Sequence, residues 1–240
     1  MMNKKELVVR YHGLVSLACR IYNLQNCFRI KKTGNNNRII APCALLKKVN
    51  IRIKGSHNTV VIGDFAQLKG ATIYINGDHN HVAVGPWSFL GGTDLFIEDD
   101  GGSIVIGSRT KFLGKTHLAV IEGTSIKIGE DCLFSSDIQF RTGDSHSVLD
   151  MEGRRINASR DITIGDHVWV GTKAFCSKGA KVAYHSIIGA CALVTKEFEE
   201  PYCTLAGVPA KVVKRGTDWS IRRIPVGQIA ADFDPPVTEE

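Results

Sequence analysis

The stretch that decides the fold is a tetrapeptide that recurs along the chain: VVIG (60–63), VAVG (82–85), IVIG (104–107) and IKIG (126–129). The final glycines of these tetrapeptides lie 22 residues apart each time. Alternating aliphatic residues have the period of a β-strand with one buried face, and the Gly, Asn and Asp residues between them favour tight turns. A strand this short buries its apolar face only by stacking on similar strands. The repeat therefore predicts a β-solenoid.

The repeat is interrupted once. The next tetrapeptide, ITIG, ends at Gly165, which is 36 residues after Gly129. The additional residues include RTGDSHSVLD (141–150), and we predict an inserted loop over 141–160. A regularly repeating wall offers no pocket, whereas loops on a rigid scaffold often carry catalytic residues. The interruption is therefore the place where we expect the chemistry.

The first quarter of the chain is strongly basic. Residues 1–54 contain twelve Lys or Arg against one acidic residue, so they carry +11, and the other residues carry −5 of the net charge of +6. Apolar residues at 7, 11, 14, 18 and 21 predict a basic amphipathic helix over about 5–27. We expect this helix to cap the solenoid; contact with a neighbouring subunit or an anionic membrane are the alternatives. No nucleic-acid-binding motif accompanies the charge, so nucleic acid is not expected as a partner.

The cysteines and the apolar runs indicate the cellular compartment in which the protein works. Seven cysteines without a CxxC pair indicate neither a disulfide framework nor a zinc knuckle, so we expect buried free thiols. No apolar run approaches the ~18 residues of a membrane span. The run LVSLAC (14–19) is too short and too interrupted for a secretory leader. We predict a cytoplasmic protein, with a basic arm suited to the inner face of the membrane.

The second half of the chain carries a recognisable pattern. Aliphatic residues recur about every six positions in VWVGTKAFCSKGAKVAYHSIIGACALVTK (168–196), and AGVPAKVVKR (206–215) follows. In this order, and most strongly over 126–215, these segments resemble the hexapeptide-repeat acyltransferases. The resemblance implies an all-β, left-handed parallel β-helix, and a short helix near 208–215 is also expected. We divide the chain into a basic arm (1–33), a β-helix domain (34–200), and an exit segment with a tail (201–240).

The resemblance also implies an activity. Members of the family form trimers, bind acetyl-CoA between adjacent β-helices and transfer the acetyl group directly. DSHS followed by RIN, ahead of IGDHVWVG, is similar to the O-acetyltransferases of capsule, lipopolysaccharide and polysialic acid biosynthesis. It implies a homotrimer that transfers acetyl from acetyl-CoA, without a required metal, to a sugar hydroxyl of a bacterial surface polysaccharide or its precursor. Two alternatives stay open: a small diffusible acceptor, and a non-catalytic trimerisation module.

His146 is the expected general base. An acetyl thioester is already activated, so the enzyme must supply a base for the acceptor proton, and imidazole, with a pKa near ~6.5, suits that task. The resemblance matches His146 to the histidine of the family's inserted loop. Asp144 or Asp150 lies near enough in sequence to orient its ring. His117 aligns where many members carry an active-site Asn, and Trp169 matches the family's Trp at the cleft.

The contacts to acetyl-CoA are assigned by resemblance alone. The residues matched to the pantetheine and adenine ends of the groove are Thr172, Ala190, Thr195 and Lys196. Those matched to the phosphates are Lys211 and Lys214, with Arg215 as a spare. Flexible cations at a solvent edge suit the phosphate charges of CoA.

The other histidines are expected to be ordinary turn residues: His57, His79, His81, His167 and His185. The histidines also decide whether the chain is a γ-type carbonic anhydrase. Those enzymes share the fold and bind zinc through three histidines on neighbouring subunits. The close histidine pair that such a site needs is not present near 117–146. A carbonic anhydrase is therefore not expected.

Overall fold

The computed structural model describes residues 11–26 and 28–230 of the chain. This part of the chain forms one helix, α1 (His12–Gln25), and 25 strands, numbered β1 to β25 in chain order. Successive strands enter three sheets in turn, so each coil contributes one strand to each sheet. Among the described residues, no helix has the length and apolar character needed to cross a bilayer.

The strand bounds are as follows. The first sheet contains β1 (Arg29–Thr33), β4 (Asn50–Lys54), β7 (Thr72–Asn76), β10 (Thr93–Glu98), β13 (Thr116–Val120), β16 (Ile138–Arg141), β19 (Phe175–Ser177) and β22 (Leu193–Val194). The second contains β2 (Arg38–Ile40), β5 (Thr59–Ile62), β8 (His81–Val84), β11 (Ser103–Ile106), β14 (Ser125–Ile128), β17 (Ile162–Ile164), β20 (Lys181–Val182) and β23 (Glu197–Phe198). The third contains β3 (Leu45–Lys47), β6 (Gln67–Lys69), β9 (Phe89–Gly91), β12 (Lys111–Phe112), β15 (Leu133–Phe134), β18 (Trp169–Val170), β21 (Ile187–Ile188), β24 (Cys203–Ala206) and β25 (Lys211–Arg215).

These sheets are the three sides of a triangular prism, and the predicted parallel β-helix is confirmed. All strand pairs are parallel except β24 with β25. We call the turns from the first to the second sheet the first corner, those from the second to the third sheet the second corner, and those leading back to the first sheet the third corner. Paired positions lie 21 to 23 residues apart in the early coils, as in Thr72 with Asp94, and 16 to 18 apart in the late coils, as in Phe175 with Leu193.

The core is a set of side-chain ladders along the prism axis. One ladder contains Ile51, Ile73, Leu95, Leu118, Phe140, Cys176 and Val194, which occupy paired positions of the first sheet and are all buried. Burying an aliphatic side chain contributes about 1.5–3 kcal/mol. The alternating pattern seen in the sequence is thus the pattern of inward-facing rungs.

The repeated glycine follows from the spacing of the coils. A Cβ atom on Gly85 would lie 2.5 Å from the backbone nitrogen of Ser108 in the next coil. Two turns of the first corner are held by asparagines: Asn58 Oδ1 accepts from the backbone N–H of Asn80 at 2.9 Å, and Asn80 Oδ1 accepts from that of Gly102 at 2.7 Å. Buried backbone N–H groups are thereby satisfied where the chain turns.

The N-terminal end of the solenoid is capped by α1. Asn23 donates to Ala44 O at 3.1 Å and accepts from Leu46 N at 2.8 Å, so its amide pairs with the exposed edge of β3 as another strand would. The predicted helix is confirmed over 12–25, and residues 1–10 and 27 lie outside the described residues. The predicted apolar stripe does not face the solenoid, because Leu14 and Ile21 are exposed while Cys19 and Asn23 are buried.

The two boundaries of the β-helix differ from the sequence prediction. The first strand, β1, lies within the predicted arm and pairs with β4. At the other end, β24 and β25 extend the third sheet into the predicted exit segment. The short helix predicted near 208–215 is wrong: Lys211–Arg215 is a strand that returns antiparallel to β24. Pairing satisfies the edge of β24, and the β-branched pair Val212 and Val213 favours a strand.

The six cysteines among the described residues are free thiols, as expected. Cys19, Cys43, Cys132, Cys176 and Cys203 are buried. Cys191 is exposed, so the expectation of burial is wrong at that position, because Cys191 lies in the turn that precedes β22. Cys27 lies outside the described residues.

Candidate active site

The inserted loop occupies the first corner between β16 and β17. The solenoid continues across it without a change of register, because β16 pairs with β19 and β14 pairs with β17. The loop contains one antiparallel bridge, between Leu149 and Arg155. The insertion therefore projects from the wall and leaves the stacking of the coils intact.

Asn157 organises the inside of the loop. Its side chain is buried; its Nδ2 donates to Asp144 Oδ2 at 2.9 Å and to the carbonyl oxygen of His146 at 2.8 Å. Its Oδ1 accepts from the backbone N–H of Val148 at 2.9 Å. One amide thus binds the backbone at His146 and Val148 and the side chain of Asp144, which makes the loop a shaped support for His146.

Charged side chains tie the loop to the coils beside it. Lys178 Nζ lies 2.5 Å from Asp144 Oδ2, and Arg155 pairs with Glu122. Ser159 Oγ also donates to Glu122 Oε2, at 2.7 Å. Hydrogen bonds from Arg155 and Ser159 lower the pKa of Glu122 to about 2, and those from Lys178 and Asn157 lower the pKa of Asp144. Both carboxylates are therefore ionised at neutral pH.

The His146 side chain is exposed at this corner. Its ring makes no hydrogen bond to any residue that the structure describes, although its backbone is held by Asn157. Neither candidate carboxylate is bonded to the ring: Asp144 is engaged by Lys178 and Asn157, and Asp150 accepts from Arg154 Nε at 3.0 Å. Asp144 accordingly contacts the ring's supporting loop rather than the ring.

His117 lies on the outer face of the first sheet, in β13. It is paired with Asp94 on one side and with Gln139 on the other, so it adjoins the strand that leads into the loop. Burial of the ring, followed by the charge of Arg141, lowers the pKa of His117. The imidazole is neutral at pH 7, and so one ring nitrogen can donate a hydrogen bond while the other accepts.

Trp169 stands on the opposite side of the prism. It belongs to β18 in the third sheet, its side chain is partly exposed, and its ring lies 6.4 Å from that of Trp219 in the C-terminal tail. The third sheet faces away from the first corner. A single chain therefore does not bring Trp169 together with His146.

The residues matched to CoA fall into three groups. Thr172 and Ala190 lie at the third corner in successive coils, and Thr172 O accepts from the backbone N–H of Cys191 at 2.9 Å. Thr195 and Lys196 follow β22 at the first corner, where the Lys196 ammonium lies 5.5 Å from the centre of the Phe198 ring.

The third group lies on β25 and contains Lys211, Lys214 and Arg215, all exposed. Arg215 Nε donates to both carboxylate oxygens of Glu200, at 3.0 and 2.9 Å. That ion pair offsets the charge of Arg215, which leaves Lys211 and Lys214 as the better cations for a phosphate.

Several residues of the site were missed by the sequence reasoning. Asn157, Glu122, Arg155 and Lys178 shape the loop, and only the RIN segment of Asn157 and Arg155 carried a signal. His57 and His79 are exposed turn residues, as expected. His81 begins β8, and the remaining two, His167 and His185, contact the C-terminal tail through Asp218.

Known proteins resemble parts of this chain in sequence and in fold. No protein-family profile matches the chain. A polysialic acid O-acetyltransferase of Escherichia coli O1:K1 / APEC is 32% identical over 109 residues, which are 45% of this chain and 35% of that protein. A polysialic acid O-acetyltransferase of Neisseria meningitidis is 29% identical over 108 residues, which are 45% of this chain and 50% of that protein. The aligned part thus spans half or less of the length of these curated relatives.

The similarity to solved structures extends further. The crystal structure of the polySia-specific acetyltransferase NeuO has a TM-score of 0.76 and 29% identity, and covers 84% of this chain and 91% of that chain. That of the polysialic acid O-acetyltransferase OatWY has a TM-score of 0.72 and 26% identity, and covers 84% and 95%.

The fold is the left-handed parallel β-helix that the resemblance to hexapeptide-repeat acyltransferases predicts, with an ordered loop at one corner. Over most of its length the chain is similar in structure to the polysialic acid O-acetyltransferases NeuO and OatWY.

Proposed function

We propose that this protein is an O-acetyltransferase that transfers acetyl from acetyl-CoA to a sugar hydroxyl of a bacterial surface polysaccharide or its precursor. The observation that carries the proposal is the ordered loop, which is inserted once between strands of the β-helix and holds an exposed imidazole. The likeness to two polysialic acid O-acetyltransferase structures supports the class of acceptor.

In the proposed reaction His146 is the general base. A ring nitrogen takes the proton of the acceptor hydroxyl as its oxygen attacks the thioester carbonyl. The C–O bond forms, the C–S bond breaks, and the imidazolium returns the proton to the departing CoA thiolate. The products are an O-acetyl ester and CoA, so no group remains on the enzyme and no cysteine takes part. General-base catalysis of this kind contributes about 10²–10⁴-fold.

Two further residues are proposed to position the substrates. His117 is neutral and half-buried on the neighbouring strand, so it can hydrogen-bond the acceptor without adding charge. Asp144 holds the loop through Lys178 and Asn157, and its effect on His146 is therefore indirect. The CoA phosphates are proposed to contact Lys211 and Lys214, with Thr172, Ala190, Thr195 and Lys196 along the groove.

We also propose that a second copy of the chain completes the site, in a homotrimer. His146 lies at the first corner, and Trp169 lies in the sheet opposite that corner. Each site would then take its base from one subunit and its indole, which can pack against the acceptor and the pantetheine arm, from the next.

Mixed oligomers test the shared site. Neither His146→Ala nor Trp169→Ala alone should be active, but the two variants expressed together should regain activity, because about a quarter of the sites in a random trimer carry both native residues. Light scattering should give three chains per particle. A shared site would be contradicted if the monomer were fully active. It would also be contradicted if mixed oligomers were no more active than either variant alone.

The acceptor is tested with radiolabelled acetyl-CoA and a panel of acceptors. We expect transfer to an acidic polysaccharide or its oligosaccharide precursor, and loss of transfer with His146→Ala while CoA still raises the melting temperature. If only free sugars or chloramphenicol were acetylated, the acceptor would be a small diffusible molecule and not a surface polysaccharide. A chain that neither binds CoA nor transfers acetyl would instead be a non-catalytic module.

The basic N-terminal region is proposed to rest on an anionic membrane, where a membrane-borne acceptor would be concentrated. Leu14, Leu17, Ile21 and Leu24 form an exposed apolar stripe on α1, and every residue of β1, which contains three cations, is exposed. Apolar side chains flanked by cations suit an anionic lipid surface. The protein should sediment with phosphatidylglycerol vesicles but not with phosphatidylcholine vesicles, and Leu17→Ser/Leu24→Ser should abolish this; equal sedimentation with both would refute the proposal.

A further inference from the structure

A cluster of potential metal ligands lies at the second corner, away from the inserted loop. His167 and His185 occupy equivalent turn positions in adjacent coils, each with a φ of +52°. Their ring centres lie 4.7 Å apart. Asp218, from the C-terminal tail, projects between them, and the ligand atoms of the three side chains all lie within 4.8 Å of one another.

The distances within the cluster suit a common ion. His185 Nδ1 lies 2.9 Å from Asp218 Oδ2, and His167 Nε2 lies 3.5 Å from Asp218 Oδ1. Zinc bonds of ~2.0–2.2 Å in a tetrahedral arrangement place neighbouring ligand atoms about 3.3–3.6 Å apart. Only small side-chain movements would therefore bring these three groups around one metal ion.

The surroundings hold the ligands in place. The Trp219 indole stacks on the His167 ring with centres 4.4 Å apart, and its Nε1 donates to His167 O at 2.8 Å. The carbonyl oxygen of Trp219 lies 3.1 Å from His167 Nε2, so a fourth electron-pair donor faces the same space. The ring stacking and the hydrogen bond to the backbone together hold His167 beside the tail.

The cluster is accessible but largely screened from solvent. It lines a cavity of about 660 Å³ between the solenoid and residues 218–230 of the tail. The Asp218 side chain is only 13% exposed. A carboxylate so placed among imidazoles is the mixed nitrogen and oxygen ligand set that zinc and its first-row neighbours accept.

A second group of potential ligands serves as an internal contrast. His12 Nε2 lies 3.5 Å from Cys43 Sγ and 3.9 Å from Asp64 Oδ2 at the N-terminal end. Burial, and then the charge of Asp64, raises the pKa of the Cys43 thiol. A thiol must lose its proton to bind a metal, so this group is the poorer site.

We propose that His167, His185 and Asp218 bind one divalent transition metal ion of the zinc class, which fastens the C-terminal tail to the solenoid beside Trp169. The ion has a structural role, and the inference does not depend on the proposed acetyl transfer.

Metal binding is tested on the full chain after treatment with a chelator. Titration with Co²⁺ should give the intense visible absorption of a low-coordinate site with a stoichiometry of one per chain, and Zn²⁺ should displace it and raise the melting temperature. Asp218→Asn and His185→Gln should each weaken Co²⁺ binding at least about tenfold. His57→Gln, a turn histidine of the early coils, is the matched control and should bind normally.

A second measurement covers variants that fold poorly. Because Trp219 stacks on His167, Co²⁺ should quench tryptophan fluorescence in the native chain, and Trp219→Phe should lose most of that quenching while still binding the ion. No binding by the native chain would overturn the proposal. So would binding that survives Asp218→Asn but is lost in Cys43→Ser, because it would place the ion at the N-terminal group.

Discussion

The early coils, from β1 to β16, and the late coils, from β17 to β24, are built on the same three sheets but differ in their outer features. The early coils repeat every 22 residues, with stacked side chains such as His57 on His79, whose ring centres lie 4.8 Å apart. The late coils repeat every 16 to 18 residues and follow the inserted loop. They also carry Trp169 and most of the proposed CoA contacts.

A repetitive fold acquires a site where its repeat is interrupted. Stacked coils place equivalent side chains above one another, which gives stability and a constant spacing. At the loop the chain leaves this pattern and is held by Asn157 and by the pair of Arg155 with Glu122. The coils before β13 thus serve as a rigid base, and we expect substitutions there to affect stability and substitutions near the loop to affect turnover.

The largest expected effect is that of His146→Ala. Loss of the general base should lower acetyl transfer by about 10²–10⁴-fold, while the melting temperature stays the same, because the side chain is exposed. His57→Ala, an exposed histidine of the early coils, is the control and should transfer acetyl normally. Undiminished transfer by His146→Ala, measured with radiolabelled acetyl-CoA, would remove this residue from the mechanism.

In the early coils, Ile73→Ala should instead lower stability without affecting the site. Ile73 is fully buried in the first sheet, so its truncation should lower the free energy of unfolding by about 2–5 kcal/mol. Urea unfolding measures this. The KM for acetyl-CoA of the folded fraction should not change; a raised KM would mean that the early coils contribute to the site directly.

Asn157→Ala should lower kcat by roughly tenfold or more, because a base displaced by an ångström loses much of its effect. The KM for acetyl-CoA should stay constant. Asn58→Ala removes a buried asparagine from an early corner and serves as the matched control: it should reduce stability and leave kcat unchanged. Equal kcat values for the two variants would mean that Asn157 is a structural residue only.

Lys214→Ala should raise the KM for acetyl-CoA roughly two- to fivefold, since an exposed cation facing a phosphate contributes up to about 1 kcal/mol. Lys69→Ala removes an exposed lysine from the third sheet of the early coils and should have no effect. Initial rates at varied acetyl-CoA and at two salt concentrations measure both. A KM that falls in Lys214→Ala would contradict a phosphate contact.

The smallest expected effect concerns pH. Burial lowers the pKa of His117 in the folded protein, so the unfolded chain binds more protons below the ordinary imidazole pKa of about 6.5. The stability associated with this ring is complete above that pH and is lost as the pH falls toward the folded value. The free energy of unfolding, measured in urea at pH 7.5 and 5.5, should depend less on pH in His117→Gln than in the native chain. An equal pH dependence in the two proteins would contradict the lowered pKa of His117.

The sequence allowed the solenoid to be predicted well, for a physical reason. Each V-x-V/I-G segment repeats one local requirement, a two-residue apolar period and a glycine where the next coil approaches, so the pattern is visible without tertiary information. The two ends of the solenoid were harder to predict. At the C-terminal end, KVVKR was predicted as a helix, but it forms a strand because it pairs with β24 across a turn. At the N-terminal end, the apolar stripe of α1 faces outward because Asn23 is the residue that binds the edge of β3.

The site was only partly predictable. The insertion revealed where the loop leaves the wall, and the resemblance singled out His146. The partners of that loop come from separate coils: Glu122 precedes it and Lys178 follows it, and no local period links them to the loop. The tail has little periodicity, so the contacts of Asp218 and Trp219 with the second corner could not be predicted from the sequence.

The unbroken register beneath the loop sets the distance between the two ends of the insertion. The pairing of Ile126 with Ile162 and of Arg141 with Ser177 fixes both ends on the solenoid, whatever lies between them. Closing a longer loop on the same two points costs only about 0.6 kcal/mol for each doubling of its length. This corner can therefore accept segments of different length and composition at little cost in stability, and related proteins could come to recognise new acceptors by exchanging one loop on a constant framework.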